Sequence, residues 1–325
     1  MRVLITGAAG MVGRKLIARL AKDGTLRGQK IAALDLHDIV PPQAPVIEGV
    51  DVAIHTGDLA AAGATERLVA SRPDVIFHLA GVVSGEAEAN FDLGYRVNLD
   101  GTRALFDAVR LASYAPRVVF TSSIAVFGAP FPDVIPDEFH PTPLTSYGTQ
   151  KLMGEALLAD YTRRGFFDGI GIRLPTICVR PGKPNKAASG FFSGIIREPL
   201  SGQEAILPVS RSVVHTHASP RSAVNFLIHA AGIDGSTVGP RRNLTMPGVG
   251  VSVGQQIEAL ERVAGSRAVG LIREVPDDTI WAIVKGWPTR FEARRSRELG
   301  FTAETSFDEI IRVHIEDELD GKVAS

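Results

Sequence analysis

Cysteine is nearly absent from this sequence: Cys178 is the only one in 325 residues. A lone thiol closes no internal disulfide and suits a reducing compartment, so disulfide-stapled secreted scaffolds are excluded. Charge of one sign is missing as well. Lys and Arg total 35 against 36 Asp and Glu, a formal net charge of −1 with no long run of either sign. Such a balance asks for neither nucleic acid nor an anionic membrane. No apolar stretch approaches the roughly 20 residues that a membrane span needs. Met1-Arg2-Val3-Leu4-Ile5 runs straight into a strand pattern, which leaves no room for a signal peptide, and a cytoplasmic protein is expected. What is present is ordinary for a globular chain: 45% apolar and 22% charged residues. The length suits one large domain plus a smaller lobe.

Through the first half, short apolar runs alternate with helical patterns. Strands are expected at 2–6, 30–35, 52–55, 75–79, 117–121 and 170–174. Helices are expected at 11–21, 91–113 and 146–164, the last with Leu152, Ala156 and Ala159 on one face. Strands that are apolar throughout, separated by helices, imply an α/β doubly wound parallel sheet of the Rossmann type. After Pro175 the pattern breaks into short mixed segments and loops. The expectation is a dinucleotide-binding domain over 1–178 and a smaller α+β substrate lobe over 179–325, with some elements packing back on the first domain.

Gly7-Ala8-Ala9-Gly10-Met11-Val12-Gly13 follows the first strand and opens the first helix. Glycines at these places allow a tight turn, close approach of a pyrophosphate, and close helix–strand packing. The helix N-terminus then offers free N–H groups to the phosphates. Asp35 is expected to end the second strand and to accept the adenosine ribose hydroxyls. No arginine follows it in Leu36-His37-Asp38, which favours NAD over NADP. Asp58-Leu59, after the third strand, is placed to reach the adenine or simply to cap a helix.

Tyr147-Gly148-Thr149-Gln150-Lys151 sets a phenol and an amine four apart, on one helical face. A phenol titrates near 10, and a neighbouring ammonium favours its phenolate. Such a tyrosine accepts a hydroxyl proton as hydride leaves the carbon. Thr121-Ser122-Ser123 ends the fifth strand, where a doubly wound sheet meets its ligand, and a serine there steadies the reacting oxygen.

Together these residues resemble the extended short-chain dehydrogenase/reductase family, which includes nucleotide-sugar epimerases and dehydratases. The matching pieces are Thr6 through Gly13, Asp35, Asp58-Leu59, His78-Leu79-Ala80-Gly81, Asn98, Thr121-Ser122-Ser123 through Val126-Phe127-Gly128, and Tyr147 with Lys151. The resemblance implies Ser123, rather than Ser122, as the catalytic serine beside Tyr147 and Lys151. It implies that Leu79 and Ala80 line the cofactor cleft near the phosphates, that Gly81, Asn98 and Thr121 belong to the cofactor site, and that Pro175 and Thr176 sit by the nicotinamide. The chain is similar, more narrowly, to a group that oxidises the C2 hydroxyl of a four-carbon sugar acid, D-erythronate, with NAD. That likeness lies in residues 81–91, 173–185 and 210–218.

Dehydratases of the family carry an Asp-Glu pair directly after the serine or threonine; here Ile124-Ala125 stands instead, so elimination has no obvious catalyst. A small acid needs a carboxylate clamp and hydroxyl contacts. Arg180, with Lys183 and Lys186 after it, is the candidate clamp, since a guanidinium binds a carboxylate bidentately. Asn185, Ser123 and Tyr147 add polar contacts, and Arg211 is a candidate through the likeness. Ser84, Glu86 and Asn90 either touch substrate hydroxyls or cap the long helix. His215 and His217 have no cysteine or carboxylate beside them, so no metal is expected; one of them could still meet substrate. Cys178 in Thr176-Ile177-Cys178-Val179 reads as a buried thiol. Two other readings stay open: a nucleotide-sugar 4-epimerase using the same three residues, and a non-catalytic dinucleotide sensor. A homodimer through the 91–113 and 146–164 helices is expected from the family resemblance.

Overall fold

The structure is a computed structural model that describes residues 1–182 and 188–324. Lys183, Asn185 and Lys186 therefore lie outside the described residues. β1 (Arg2–Thr6) carries Val3, Leu4 and Ile5 with no exposed surface, as a strand covered on both faces must. It is joined by β2 (Ala33–Asp38), β3 (Asp51–Thr56), β4 (Val75–His78), β5 (Arg117–Ser123) and β6 (Asp168–Leu174). The seven-stranded order is Asn243–Thr245, β6, β5, β4, β1, β2, β3, and every pairing from β6 to β3 is parallel. The chain runs outward from β1 to β3, then crosses back to β4 and continues the other way. The switch point lies at the C-terminal ends of β1 and β4, where such sheets bind their ligands.

Helices make the crossovers: α1 (Met11–Asp23), α2 (Ala64–Val69), then α3 (Ser84–Ala89), α4 (Phe91–Gly94) and α5 (Gly101–Ala112), and finally α6 (Ser146–Arg163). Between α4 and α5 the chain makes a π-helical turn, Tyr95–Asp100, so the expected long helix over 91–113 is widened in its middle. Leu105, Phe106 and Val109 of α5 pack with Leu4, Ile76, Val118, Phe120 and Leu158 in one apolar core.

Two expectations about these elements are corrected. The second strand begins at Ala33, because Thr25–Leu26 and Gln29–Lys30 form a small antiparallel hairpin first, turned through left-handed Arg27 and Gly28. The face that α6 buries is not Leu152, Ala156 and Ala159 but Gly148, Gln150, Lys151, Gly154, Glu155 and Leu158. Its inward stripe is polar, which an apolar periodicity does not mark.

The chain divides into two compact units. The first comprises Met1–Val126, Pro143–Leu174 and Val224–Leu244; the second comprises Phe127–Thr142, Pro175–Ala223 and Thr245–Ser325. In the second unit β7 (Thr176–Ile177) and β8 (Val214–Ala218) pair in parallel, and β9 (Val249–Ser252) pairs antiparallel to β8. Its core joins Phe192, Ile195 and Ile196 of α7 (Gly190–Leu200) to Ile257 and Leu260 of α8 (Val253–Val269) and to Ile310 and Ile311 of α9 (Phe307–Glu318). Among the described residues no helix is long and apolar enough to cross a membrane.

Candidate active site

The glycine loop shows why it must be glycine. Gly7 has a left-handed φ of 75°, and a Cβ there would lie 2.6 Å from the Ala80 nitrogen on the loop leaving β4. A Cβ on Gly13 would run into the Gly7 carbonyl oxygen. The backbone is thus stripped of side chains just where β1, β4 and α1 converge. α1 begins at Met11 with Val12, and its N-cap, Gly10, makes no side-chain cap bond. The N–H groups of that first turn are left for an anion. Leu79 and Ala80 border the same turn. This cradle fits a dinucleotide pyrophosphate.

A directed chain of hydrogen bonds runs beneath it. Thr102 donates to the Asn98 carbonyl at 2.8 Å, so its oxygen accepts from His78 Nε2 at 2.8 Å. His78 Nδ1 is then the acceptor for the Thr6 hydroxyl at 2.7 Å. Burial pushes the His78 pKa down to about 3, with the Lys151 charge adding to the effect, which suits this neutral, one-tautomer role. Asn98 sits on the π-turn, a common feature of functional sites. Its side chain accepts from Val82 N at 2.9 Å and donates to Gln150 Oε1 at 2.8 Å. A Cβ on Gly81 would lie 2.9 Å from Asn98 Oδ1 and 3.4 Å from Lys151 Nζ.

The expected ribose acid does not end its strand. Asp35 lies inside β2, buried, and its carboxylate is taken by Arg2 at 3.1 Å, His55 at 3.2 Å and Ser71 at 3.0 Å. Because the strand starts later than expected, Asp38 ends it. One Asp38 oxygen accepts from Ala9 N in the glycine loop at 2.9 Å, the other from Ile39 N at 2.7 Å. The acid beside the cradle is therefore Asp38. Asp58 is also engaged: Oδ1 accepts from Ala60 N at 2.8 Å and Oδ2 from Arg96 Nε at 2.8 Å, while Leu59 is buried.

α6 is capped by Thr145, whose side chain accepts from Gly148 N at 3.1 Å. Any side chain at Gly148 would strike the Ala125 carbonyl and sit 2.9 Å from Pro143 Cβ. The missing side chain lets the first turn of α6 press against the segment that follows Ser123. Tyr147 is half-buried there. Lys151 is 4% exposed; its Nζ donates to the Thr121 carbonyl at 2.9 Å and lies 5.9 Å from the Tyr147 ring centroid. Burial lowers its pKa to about 8, against the upward pull of Glu155. The two serines separate by side of strand. Ser122 is buried and donates to Glu155 Oε1 at 2.5 Å, whereas half-buried Ser123 accepts only its local bond from Ala125 N at 3.1 Å among the bonds seen for it.

Ser84 is the first residue of α3, and Asn90 caps α4 by accepting from Leu93 N at 3.1 Å. In the second unit, buried Pro175 precedes Thr176. His215 Nδ1 must donate to the Pro288 carbonyl at 2.9 Å, so Nε2 accepts the Thr176 hydroxyl at 2.7 Å. Arg180 Nε donates to the Ile177 carbonyl at 3.1 Å. Arg211 is exposed and bonded to Glu274 at 2.8 Å. Cys178 is fully buried, and burial pushes its thiol up to about 12. Among the described residues no three His, Cys, Asp or Glu side chains stand together to hold a metal. Asp38 and Glu155 were not singled out from the sequence. Asp38 could have been found from the Gly24–Gly28 turn signal that delays β2, and Glu155 from its place one helical turn beyond Lys151.

The family model described as the NAD dependent epimerase/dehydratase family matches residues 3–219. The chain is 47% identical to a D-erythronate dehydrogenase of Cupriavidus necator over 98% of each chain. It is 39% identical to a D-erythronate dehydrogenase of Haemophilus influenzae, over 97% of this chain and 99% of that one. Among solved structures it is similar to an Agrobacterium tumefaciens protein described as a nucleoside-diphosphate-sugar epimerase. That likeness has a TM-score of 0.98 and 65% identity, and it covers 100% of this chain and 96% of that one.

Proposed function

This chain belongs to the NAD dependent epimerase/dehydratase family, and from that premise we propose that it oxidises the C2 hydroxyl of D-erythronate to 2-dehydro-D-erythronate. The observation that carries the reading is the pairing of Tyr147 with a buried Lys151 on α6, in a chain that is 47% and 39% identical over nearly its full length to two proteins named D-erythronate dehydrogenase. Bound NAD supplies the acceptor for the hydride. Tyr147 takes the hydroxyl proton, with the Lys151 ammonium favouring its phenolate. Ser123 donates to the reacting oxygen and steadies its charge. Gly7, Gly10 and Gly13 leave room for the pyrophosphate. Asp38 takes the ribose hydroxyls in place of Asp35, and its charge disfavours a 2′-phosphate. Ser84, Arg180 and Arg211 are the proposed substrate contacts among the described residues.

The name of the Agrobacterium protein favours a second reading, a nucleotide-sugar epimerase that returns the hydride to its substrate. Purified protein with NAD and a panel of aldonic acids, followed at the NADH absorbance band, separates the two. The dehydrogenase accumulates NADH with D-erythronate. No net NADH, together with conversion of a UDP-sugar to its epimer by chromatography, selects the epimerase and ends the first reading. We also place the protein in the cytoplasm as a homodimer built on α5 and α6, where Leu111 stands exposed. A monomer mass by light scattering at every concentration rules out the dimer.

A further inference from the structure

Glu155 is 2% exposed and lies one helical turn beyond Lys151 on α6. Arg173 of β6 grips it bidentately, Nε to Oε1 at 2.8 Å and Nη2 to Oε2 at 2.7 Å. Ser122 of β5 adds the bond to Oε1 at 2.5 Å, and Asn243 donates to its main-chain oxygen at 3.2 Å. Desolvating such a pair costs as much as its attraction returns, and an apolar pair of the same size would serve stability as well or better. Holding α6 in place therefore does not by itself explain two buried charges.

Their surroundings do. Two bonds join α6 to the end of β5: Lys151 Nζ to the Thr121 carbonyl, and Ser122 Oγ to Glu155. Both land on the two residues immediately before Ser123. The helix of Tyr147 and Lys151 and the strand of Ser123 are clamped together at that point. We propose that Glu155, paired with Arg173, is a positioning residue for the dehydrogenase reaction, fixing Ser123 against Tyr147 and keeping a negative charge behind the Lys151 ammonium. This rests on the Ser123–Tyr147–Lys151 reading above.

The ionisable groups around Lys151 are few. Tyr147 and Glu155 share its helix, His78 faces it from β4 and is neutral, and Arg173 of β6 is bonded to Glu155. Arg96 and Asp100 on the π-turn and Glu88 on α3 are exposed. Among the described residues Glu155 is thus the anion that raises the lysine. Without it the ammonium loses its proton at lower pH, and the phenolate loses its partner.

The test compares Glu155→Gln, the double variant Glu155→Met with Arg173→Met, Ser122→Ala and Tyr147→Phe. The double variant leaves no unpaired buried charge, so it serves where Glu155→Gln fails to fold. For each, kcat and KM are followed from neutral to alkaline pH beside circular dichroism. The folded charge variants are expected to lose about tenfold or more in kcat, the scale of a small misplacement of reacting groups. Their alkaline limb should move to lower pH while KM for NAD stays within about twofold. Ser122→Ala should lower kcat and leave that limb in place. A purely structural role predicts a lower melting temperature with wild-type kcat and pH profile, and that result in a folded charge variant overturns the proposal. Where no charge variant folds, Ser122→Ala decides alone, and an unchanged kcat overturns the clamp. Turnover at the parental rate in Tyr147→Phe instead overturns the site reading, and the proposal falls with it.

Discussion

Around α6 the protein buries full charges; around β8 it buries neutral rings. Lys151, Glu155 and Arg173 are all under 9% exposed and are tied to one another's neighbours by short, charge-assisted bonds. His215 and His217 are buried to a similar depth, yet burial drives the His215 pKa down to about 4 and that of His217 well below its ordinary value. His215 ties β8 to the Pro288 carbonyl and to Thr176 as a neutral cross-link. Buried charge is costly, and around α6 it stands on the helix of Tyr147 and is bonded to the strand before Ser123. Buried imidazole is cheaper, and around β8 it pins a strand.

The largest expected effect breaks the comparison on its charged side. Lys151→Met should lower kcat by about 10²-fold or more, the scale of general acid–base groups, whereas His217→Gln should act on melting temperature and leave kcat within about threefold. Equal losses of kcat would erase the distinction between the regions.

Next comes the pair of acids on β2. Asp38→Asn should raise KM for NAD by roughly tenfold or more, as expected for a lost hydrogen bond to a charged group, and should narrow the preference over NADP. Asp35→Asn should leave cofactor choice unchanged and lower the melting temperature, since Arg2 and His55 lose a buried partner. The opposite pattern returns the ribose to Asp35.

The neutral region carries a pH signature. His215 has an ordinary value of 6.5 when unfolded and about 4 when folded, so between those values the unfolded chain binds the extra proton. Stability therefore rises with pH across that window and is lost as pH falls through it, by up to about 1.4 kcal/mol per pH unit for each such group. Melting temperature measured against pH should show a shallower acid limb in His215→Gln than in the parent. An identical limb would mean that His215 is charged when buried.

The smallest effect belongs to Arg211. Its pair with Glu274 is exposed on both sides, so Arg211→Ala should change stability by less than about 0.5 kcal/mol. A rise in KM for D-erythronate in that variant is expected from its proposed substrate contact, and an unchanged KM would leave it a surface pair.

Much of the first unit was legible because its signals are local. The glycine loop, the apolar strands and the Tyr147–Lys151 spacing each need only a few neighbouring residues, and apart from the second strand they stand in the structure where their patterns put them. What was missed depends on partners far along the chain. Asp35 and Asp38 lie on the same strand, and only the hairpin before β2 decides which ends it. Glu155 looks like a solvent residue in a hydropathy pattern, since the arginine that neutralises it comes from another strand. The Glu274 partner of Arg211 is likewise distant in sequence and carries no local signal. Ser123 was set apart from Ser122 by the family resemblance alone; the physical difference, which side of β5 faces α6, depends on distant Glu155.

The central claim is that Tyr147 takes the proton from the substrate hydroxyl. Its most direct test is a single-turnover measurement of NADH formation from D-erythronate by Tyr147→Phe at saturating NAD, beside the unaltered protein. The account predicts unchanged NAD affinity and a rate reduced by about 10²-fold or more. A Tyr147→Phe protein that forms NADH at the parental rate would contradict it.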